Sequence, residues 1–600
     1  MDETNPCVKD SIASRGRSPT VSAFSGAQYL VGLQIFVKLA TFFMNIAVIY
    51  LAGREAFGVA SVKFELVLST IVFLSREGIR SALLRVDATR NRDSADSSAT
   101  KIKNTEKKPS VQDQQIINAS LAPIAAGMIM ASGLYIFYVS KYTYTGESNS
   151  TEPLTSSVLE YRRALTIYIV AACIELCVEP LFVLSRARIL FKLRAKCEGI
   201  AVAGRCVVIV LLLLLGRVVS EDTGKNPYRL LAFAVGQLAY SIFMLLAFSW
   251  YMSTELSFPV WSCYVPRPIY AHTSKMSKAY IDGSTRRLAA TFVGQSLLKH
   301  FLTQGDNMIM ARYASDDVMG VFAFVTNYGS IPARVIFLPL EEASRAVFSR
   351  LDGGTSRSSN NNGASSTIDT VDAQIASHVL TTLGKMQLLF GMILAVFGTL
   401  YLPILLSLVG MGDVAVVNTS VVYCLYLPFI GLNGFLEAFV HSVATSAQLL
   451  RLSIWMAGFS VIYAAFAVQM LHKFNFGSVG VVIANMLNMV LRIGYCWVFI
   501  SRWFARHPYK TKPKVSAMFP HPVVIGTCLL SGIAVAIMLR VLGHHQKSSP
   551  VWQVISLAGG GIMCAVVLAS VWRFEKQFLR SVQGLRSGKI AVHSSHSKTE

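Results

Sequence analysis

Acidic residues are scarce in this chain: 33 Asp and Glu stand against 55 Lys and Arg among 600 residues, of which only 15% are charged. So few charges, with 53% apolar residues and a mean hydropathy of +0.49, exclude an ordinary soluble domain. The ten cysteines form no C-x-x-C pair and lie mostly inside apolar runs, where they read as small core residues rather than a metal or redox motif. No H-E-x-x-H occurs, and Gly584-Leu-Arg-Ser-Gly588-Lys589-Ile590 has the wrong spacing for a P-loop and no Ser or Thr after Lys589. Catalytic residues, a metal and a cofactor are therefore not expected. A cleavable signal peptide is not expected either, because residues 1–23 are polar and the first apolar run (24–51) is too long for an h-region.

What is present is a series of apolar runs, each long enough to span a bilayer. Fourteen spans are read at about 24–51, 57–75, 118–139, 164–185, 198–216, 230–252, 289–311, 318–340, 376–409, 421–440, 452–471, 478–500, 522–539 and 551–572. Lys63 and Glu65 interrupt the second, and the ninth is expected to end near Leu402-Pro403. The net charge of +22 invites a nucleic-acid reading, but most basic residues lie in the N-tail, the even-numbered loops and the C-tail. The positive-inside rule accounts for them without nucleic acid and predicts that both termini are cytosolic. Sequons at Asn149 and Asn418 then fall on the opposite side, as glycosylation would require, whereas Asn118-Ala-Ser falls on the cytosolic side and reads as a chance match. Residues 86–117 and 351–372 are polar and are expected to be disordered cytosolic loops. The tail from Arg573 is basic and suits the cytosolic headgroups.

Lys299 lies near the centre of the seventh run, in Gln295-Ser-Leu-Leu-Lys299, where a charge costs roughly 2.5–3.5 kcal/mol on insertion scales. The first run carries the same spacing in Gln34-Ile-Phe-Val-Lys38. Lys38 and Lys299 are 261 residues apart, and the turns at Phe57-Gly-Val59 and Met319-Gly-Val321 are 262 apart, as in the two halves of a transporter-like repeat. The implied organisation is an N-tail (1–23), an N-lobe of spans 1–6 (24–252), a cytosolic linker (253–288), a C-lobe of spans 7–12 (289–500), two further spans (522–572) and a basic tail (573–600).

Other intramembrane basic residues are Lys63, Arg205, Arg334, Lys385 and Arg492, with carboxylates at Glu65, Glu175, Glu179 and Glu437. Each such residue is either paired with another side chain or in contact with cargo. A lysine such as Lys299 has Glu65 or Glu437 as a possible structural partner. Arg76, Glu77 and Arg80 close the second span, and Glu341 and Glu342 close the eighth. They read as a collar of ion pairs between the halves, or as a gate. Glu175 and Glu179 share a helical face, and Pro180 is expected to bend that helix. Arg188, Lys192 and Arg194 follow in a short cytosolic loop, where they can meet a phosphate headgroup or simply supply the positive-inside bias. The first lumenal loop is only Ala52-Gly-Arg-Glu-Ala56, which leaves little room for a lipid-dependent glycosyltransferase site.

Six segments resemble the Rft-type proteins of the endoplasmic reticulum, and through them the multidrug/oligosaccharidyl-lipid/polysaccharide exporter superfamily. They are Phe73-Leu-Ser-Arg-Glu-Gly-Ile-Arg80, Glu175-Leu-Cys-Val-Glu-Pro180, the stretch from Gln295 to Asp306, Ala333-Arg-Val-Ile-Phe-Leu-Pro-Leu-Glu-Glu342, Leu432-Asn-Gly-Phe-Leu-Glu437 and Ala484-Asn-Met-Leu-Asn-Met-Val-Leu-Arg492. Position 304 is Gln where many members carry Glu, and position 50 is Tyr where many carry Arg. The resemblance implies two six-helix lobes around a central cavity, with two extra C-terminal helices. Its implied cargo is a dolichyl-diphosphate-linked oligosaccharide, moved to the lumenal leaflet of the endoplasmic reticulum for N-glycosylation, alongside other proteins of that pathway. On that basis Lys38, Lys299, Arg334 and Arg492 would hold the diphosphate, and Asn433, Asn485 and Asn488 the sugars. Two alternatives stand beside this reading. One is an accessory protein that binds the glycolipid or its enzymes without moving it. The other is a cation-coupled drug antiporter, which the mainly basic central charges disfavour.

Overall fold

The computed structural model describes residues 46–95, 111–145, 154–187, 190–219, 228–255, 259–270, 278–281, 283–338, 340, 341, 344, 345, 348, 365–506, 513, 515–546 and 550–587. Apart from a two-residue antiparallel pair, β1 (Ile269–Tyr270) with β2 (Lys278–Ala279), the regular structure among them is helical. The all-α, polytopic membrane architecture expected from the hydropathy is the one observed. Among the described residues, eleven helices are long and apolar enough to cross a membrane.

The chain divides into two compact units, Met1–Asn307 and Met308–Glu600. Among the described residues the first opens on α1 (46–52), and Gly53 turns the chain there in the left-handed region at φ +84°. Helix α2 starts at Arg54–Gly58, passes through a π-helical turn at Val59–Phe64 and continues as Glu65–Ala95. The two charges that interrupt the second apolar run therefore sit in and just after the π turn. Both side chains are partly buried there, and Glu65 lies within the electrostatic reach of Arg205. Next come α3 (Val111–Thr145), α4 (Leu154–Cys177), α5 (Glu179–Ala187), α6 (Phe191–Val219) and α7 (Arg229–Glu255). The break between α4 and α5 matches the bend expected at Pro180. That residue sits in the first turn of α5, where its missing N–H leaves no bond unmade. Helix α6 packs along α7, α4 packs on α7, and α3 packs on α2, α4 and α5. Phe182, Leu181, Ile117 and Phe248 fill the core at one end.

Helix α8 (Gly283–Tyr313) carries Lys299, and the division between the units falls inside it. Gly78 of α2 allows a close approach: a methyl group there would stand 2.8 Å from the backbone nitrogen of Val293 on α8. The second unit holds the remaining helices. These are α9 (Asp316–Gly329), a π turn at Ala333–Phe337, α10 (Ser365–Leu408), α11 (Val414–Val443), α12 (Ser446–His472) and α13 (Gly477–Arg506). The C-terminal part adds α14 (Val515–Met518), α15 (Pro522–Gln546), α16 (Pro550–Phe574) and α17 (Lys576–Ser587). Here α11 packs against α10 and α13, α12 against α13, and α15 against α16.

Two expectations change. Helix α10 runs through Pro403 to Leu408 instead of ending near Leu402-Pro403. A single missing N–H bends a long helix without stopping it when the flanking residues stay packed, and Tyr401 and Ile404 are packed against Val535 of α15. The stretches expected to be disordered, 86–117 and 351–372, are entered by helix: α2 reaches Ala95, α3 starts at Val111 and α10 at Ser365. Gln114 and Ile117 are buried, so the polar composition there hides a structured face.

Candidate functional site

Helical spacing sets up the ionic framework of the first unit. Arg76 and Arg80 lie one turn apart on α2, as Glu175 and Glu179 do across the α4–α5 bend, so the two faces meet rung to rung. Arg76 Nη1 donates to Glu175 Oε1 at 3.1 Å, and Arg80 Nη2 donates to Glu179 Oε2 at 2.6 Å, with a second bond from Arg80 Nε to Glu179 Oε1. Two guanidinium groups lie over the Phe182 ring, Arg80 at 4.0 Å and Arg194 at 4.6 Å from its centroid, and Arg194 is itself paired with Glu198 at 2.7 Å. Residues expected in a collar or gate are thus bonded inside their own unit. Glu341, the described acid from the end of the eighth span, is paired with Arg345 at 2.9 Å.

Lys299 sits on an exposed polar stripe of α8 formed by Thr291, Gln295, Lys299 and Thr303, each one turn from the next. Its ammonium group donates to Glu77 Oε1 at 2.7 Å and lies 5.5 Å from the centroid of the Phe73 ring. The next residue, His300, is buried, stacks on Phe73 at 5.5 Å and bonds Thr70 Oγ1 at 3.0 Å. Lys299 is therefore paired, but with Glu77 rather than Glu65 or Glu437, and its side chain is still 58% exposed.

In the second unit Arg492 Nη2 donates to Glu437 Oε1 at 3.5 Å and Arg492 Nε points at Met456 Sδ at 2.9 Å. Glu437 also accepts from Asn433 Nδ2 at 3.1 Å and lies 3.4 Å from His441 Nε2. Asn485 and Asn488 are buried on α13. Arg334 is exposed on the π turn after α9. The structure thus brings together Arg492, Asn433 and Glu437, and separately Lys299 and Glu77. Asn418 is exposed in the first turns of α11, while Ser420 of its sequon is buried. Lys38, Arg188, Glu342, Asn149 and the side chain of Lys192 lie outside the described residues.

Two polar centres escaped the sequence reading. Asn118 donates to the carbonyls of Arg267 at 2.7 Å and Tyr280 at 2.9 Å and accepts from the Arg267 amide, fastening the linker hairpin to α3. Beside it the Tyr264 hydroxyl donates to the Cys177 carbonyl at 2.7 Å, and burial holds this phenol above the usual tyrosine range. The Asn118 signal was visible only as a sequon on the wrong side. In the second unit Glu575, inside the segment read as a basic tail, is buried and takes Lys385 Nζ at 2.9 Å and the His521 amide at 2.6 Å.

These features define a helical membrane protein in which Arg76, Arg80, Lys385 and Arg492 are paired within the packing while Lys299 and Arg334 stay exposed. The family model for Rft protein matches residues 22–584, and the chain belongs to the Rft protein family. The Man(5)GlcNAc(2)-PP-dolichol translocation protein RFT1 of Yarrowia lipolytica is 30% identical over 574 residues, 91% of this chain and 79% of that protein. The protein of the same description from Saccharomyces cerevisiae is 29% identical over 497 residues, 80% of this chain and 82% of that protein. Among solved structures, a lipid II flippase MurJ in an inward closed conformation aligns with a TM-score of 0.48 at 13% identity, over 90% of this chain and 99% of that one.

Proposed function

We propose that this chain translocates Man(5)GlcNAc(2)-PP-dolichol across the endoplasmic reticulum membrane, from the cytosolic to the lumenal leaflet, with both termini in the cytosol. The observation that carries this reading is its match, over nine-tenths of its length, to a relative described as translocating that glycolipid. The physical support is the α8 stripe. A charged side chain exposed at mid-helix is costly against lipid, so the Thr291–Gln295–Lys299–Thr303 face suits water or a polar cargo. Lys299 is already neutralised by Glu77, so a diphosphate arriving there competes with a carboxylate for one ammonium group. The chain acts by moving its cargo and not by altering it.

The test is reconstitution of the purified full-length protein in vesicles with labelled glycolipid. Wild type is expected to speed transbilayer movement over protein-free vesicles. Lys299→Ala should slow it roughly tenfold, and Lys299→Arg less, because the charge survives. Binding of the glycolipid by wild type without any gain in movement would overturn translocation in favour of an accessory role.

A further inference from the structure

Lys299 is mid-helix on α8, but the neighbouring helix gives its depth. Helices α2 and α8 run antiparallel where they meet: Gly78 lies against Val293, Glu77 takes the Lys299 ammonium group, and Thr70 bonds His300. Glu77 follows the apolar run 57–75 and stands about eleven residues, roughly 16 Å, beyond its middle. Half the hydrocarbon thickness of a bilayer is about 15 Å. The pair therefore sits at headgroup level, at the end of that run which the proposed function places on the cytosolic side. Anionic phospholipid headgroups are abundant there. An exposed lysine without a partner would be taken by whichever phosphate came first.

The pair is built more loosely than its neighbour on α2. Arg80 and Glu179 are 16% and 2% exposed and joined by two bonds, whereas Lys299 and Glu77 are 58% and 25% exposed and joined by one. Among the described residues, neither the ammonium group nor the carboxylate has a second hydrogen-bond partner. So exposed a pair contributes little to folding. Its effect falls on the lysine, because a tethered carboxylate competes for the ammonium group at a local concentration that the fold fixes. A headgroup with one phosphate diester would only exchange one anionic contact for another. A lipid with two phosphates and a glycan brings further contacts, and these carry it past the carboxylate. We infer that Glu77 is a built-in competitor that keeps ordinary anionic phospholipid off Lys299 and reserves the site for a diphosphate-linked lipid. This rests on the proposed function, its orientation included, and gives Glu77 a part in selectivity rather than in a collar.

Glu77→Gln keeps the size of the side chain and removes its charge. One arm of the experiment needs no cargo: native mass spectrometry of the full chain in detergent with added phosphatidylglycerol. Glu77→Gln is expected to hold that lipid at roughly fivefold lower concentration than wild type, and the Glu77→Gln, Lys299→Gln double variant to lose the gain. The other arm measures binding of labelled glycolipid in nanodiscs of phosphatidylcholine, without and with phosphatidylglycerol. Wild type should bind nearly alike in both. Glu77→Gln should bind more tightly in the first and lose most of that binding in the second. A lowered Tm with unchanged affinity for phosphatidylglycerol would make the pair a packing contact and overturn the inference. A gain that the double variant keeps, or wild type displaced by phosphatidylglycerol as strongly as the variant, would overturn it too. Wild type that binds no glycolipid in either nanodisc overturns the proposed function, while a gain in the first arm still upholds Glu77 as the guard of Lys299.

Discussion

Glu179 is 2% exposed and takes both of its bonds from one arginine. Arg80→Ala would strand that carboxylate in the packed end of the first unit, and removing one partner of a buried pair costs about 3 kcal/mol. The expected result is a clear fall in Tm in detergent, with much of it regained in the Arg80→Met, Glu179→Leu double variant. Thermal unfolding of the three proteins checks this, and a double variant no more stable than Arg80→Ala would contradict it. The matching four-residue spacings in Arg76/Arg80 and Glu175/Glu179 were legible in the sequence. That they face each other was not, because helical periodicity fixes the face a residue occupies and not the helix opposite. Lys299 illustrates the same limit: a pairing carboxylate was among the readings, but Glu77 was assigned to a collar.

At the scale of elements, Gly78 decides how near α8 can lie to α2, and the Lys299–Glu77 pair depends on that approach. Gly78→Leu should push the helices apart, lower the Tm through a loss of stability typical of an overpacked core, about 1–3 kcal/mol, and weaken translocation together with it. Unfolding and transport measured on the same preparations would show this, and an unchanged Tm would mean the helices separate without cost. Helix existence was well marked by hydropathy, and the α4–α5 break by Pro180. The ends were less visible. Polar composition suggested disorder at 86–117, yet Gln114 is buried there because it bonds Asn118 and the Val265 carbonyl of the linker, which no local pattern announces. The two π turns were likewise invisible, since an extra residue in a helix leaves its composition unchanged.

At the scale of the whole molecule, the sign of the loop charges predicts which side of the membrane each loop occupies. Asn149, flanked by Glu147, Glu152 and Glu160, is expected in the lumen. Endoglycosidase sensitivity at Asn149, or modification of a cysteine placed there by a lumenal reagent only, is the expected outcome, and cytosolic modification would reverse the topology. The near-constant offset read from Lys38/Lys299 and from Phe57-Gly-Val59/Met319-Gly-Val321 led to an expectation of two turns, and both of those Gly-Val segments are helical, in α2 and α9. The offset does not extend to every detail, because the π turns at Val59–Phe64 and Ala333–Phe337 are not separated by it. The π turn in α2 has a consequence for how the chain can change. It holds one residue more than an α-helical turn would, so losing any one residue between 59 and 64 would let the backbone close into ordinary α-helix. The repair would leave the helix before it and the helix after it nearly in their present phase, because the π turn already takes up the extra residue in one wider turn. Phe57 would keep the Phe233 ring it meets at 6.3 Å, and Arg76 and Arg80 would keep their glutamates. That stretch is therefore the part of α2 most open to single-residue deletion, whereas the same loss from the α-helical turns beyond it would rotate one end of the helix against the other by roughly 100°.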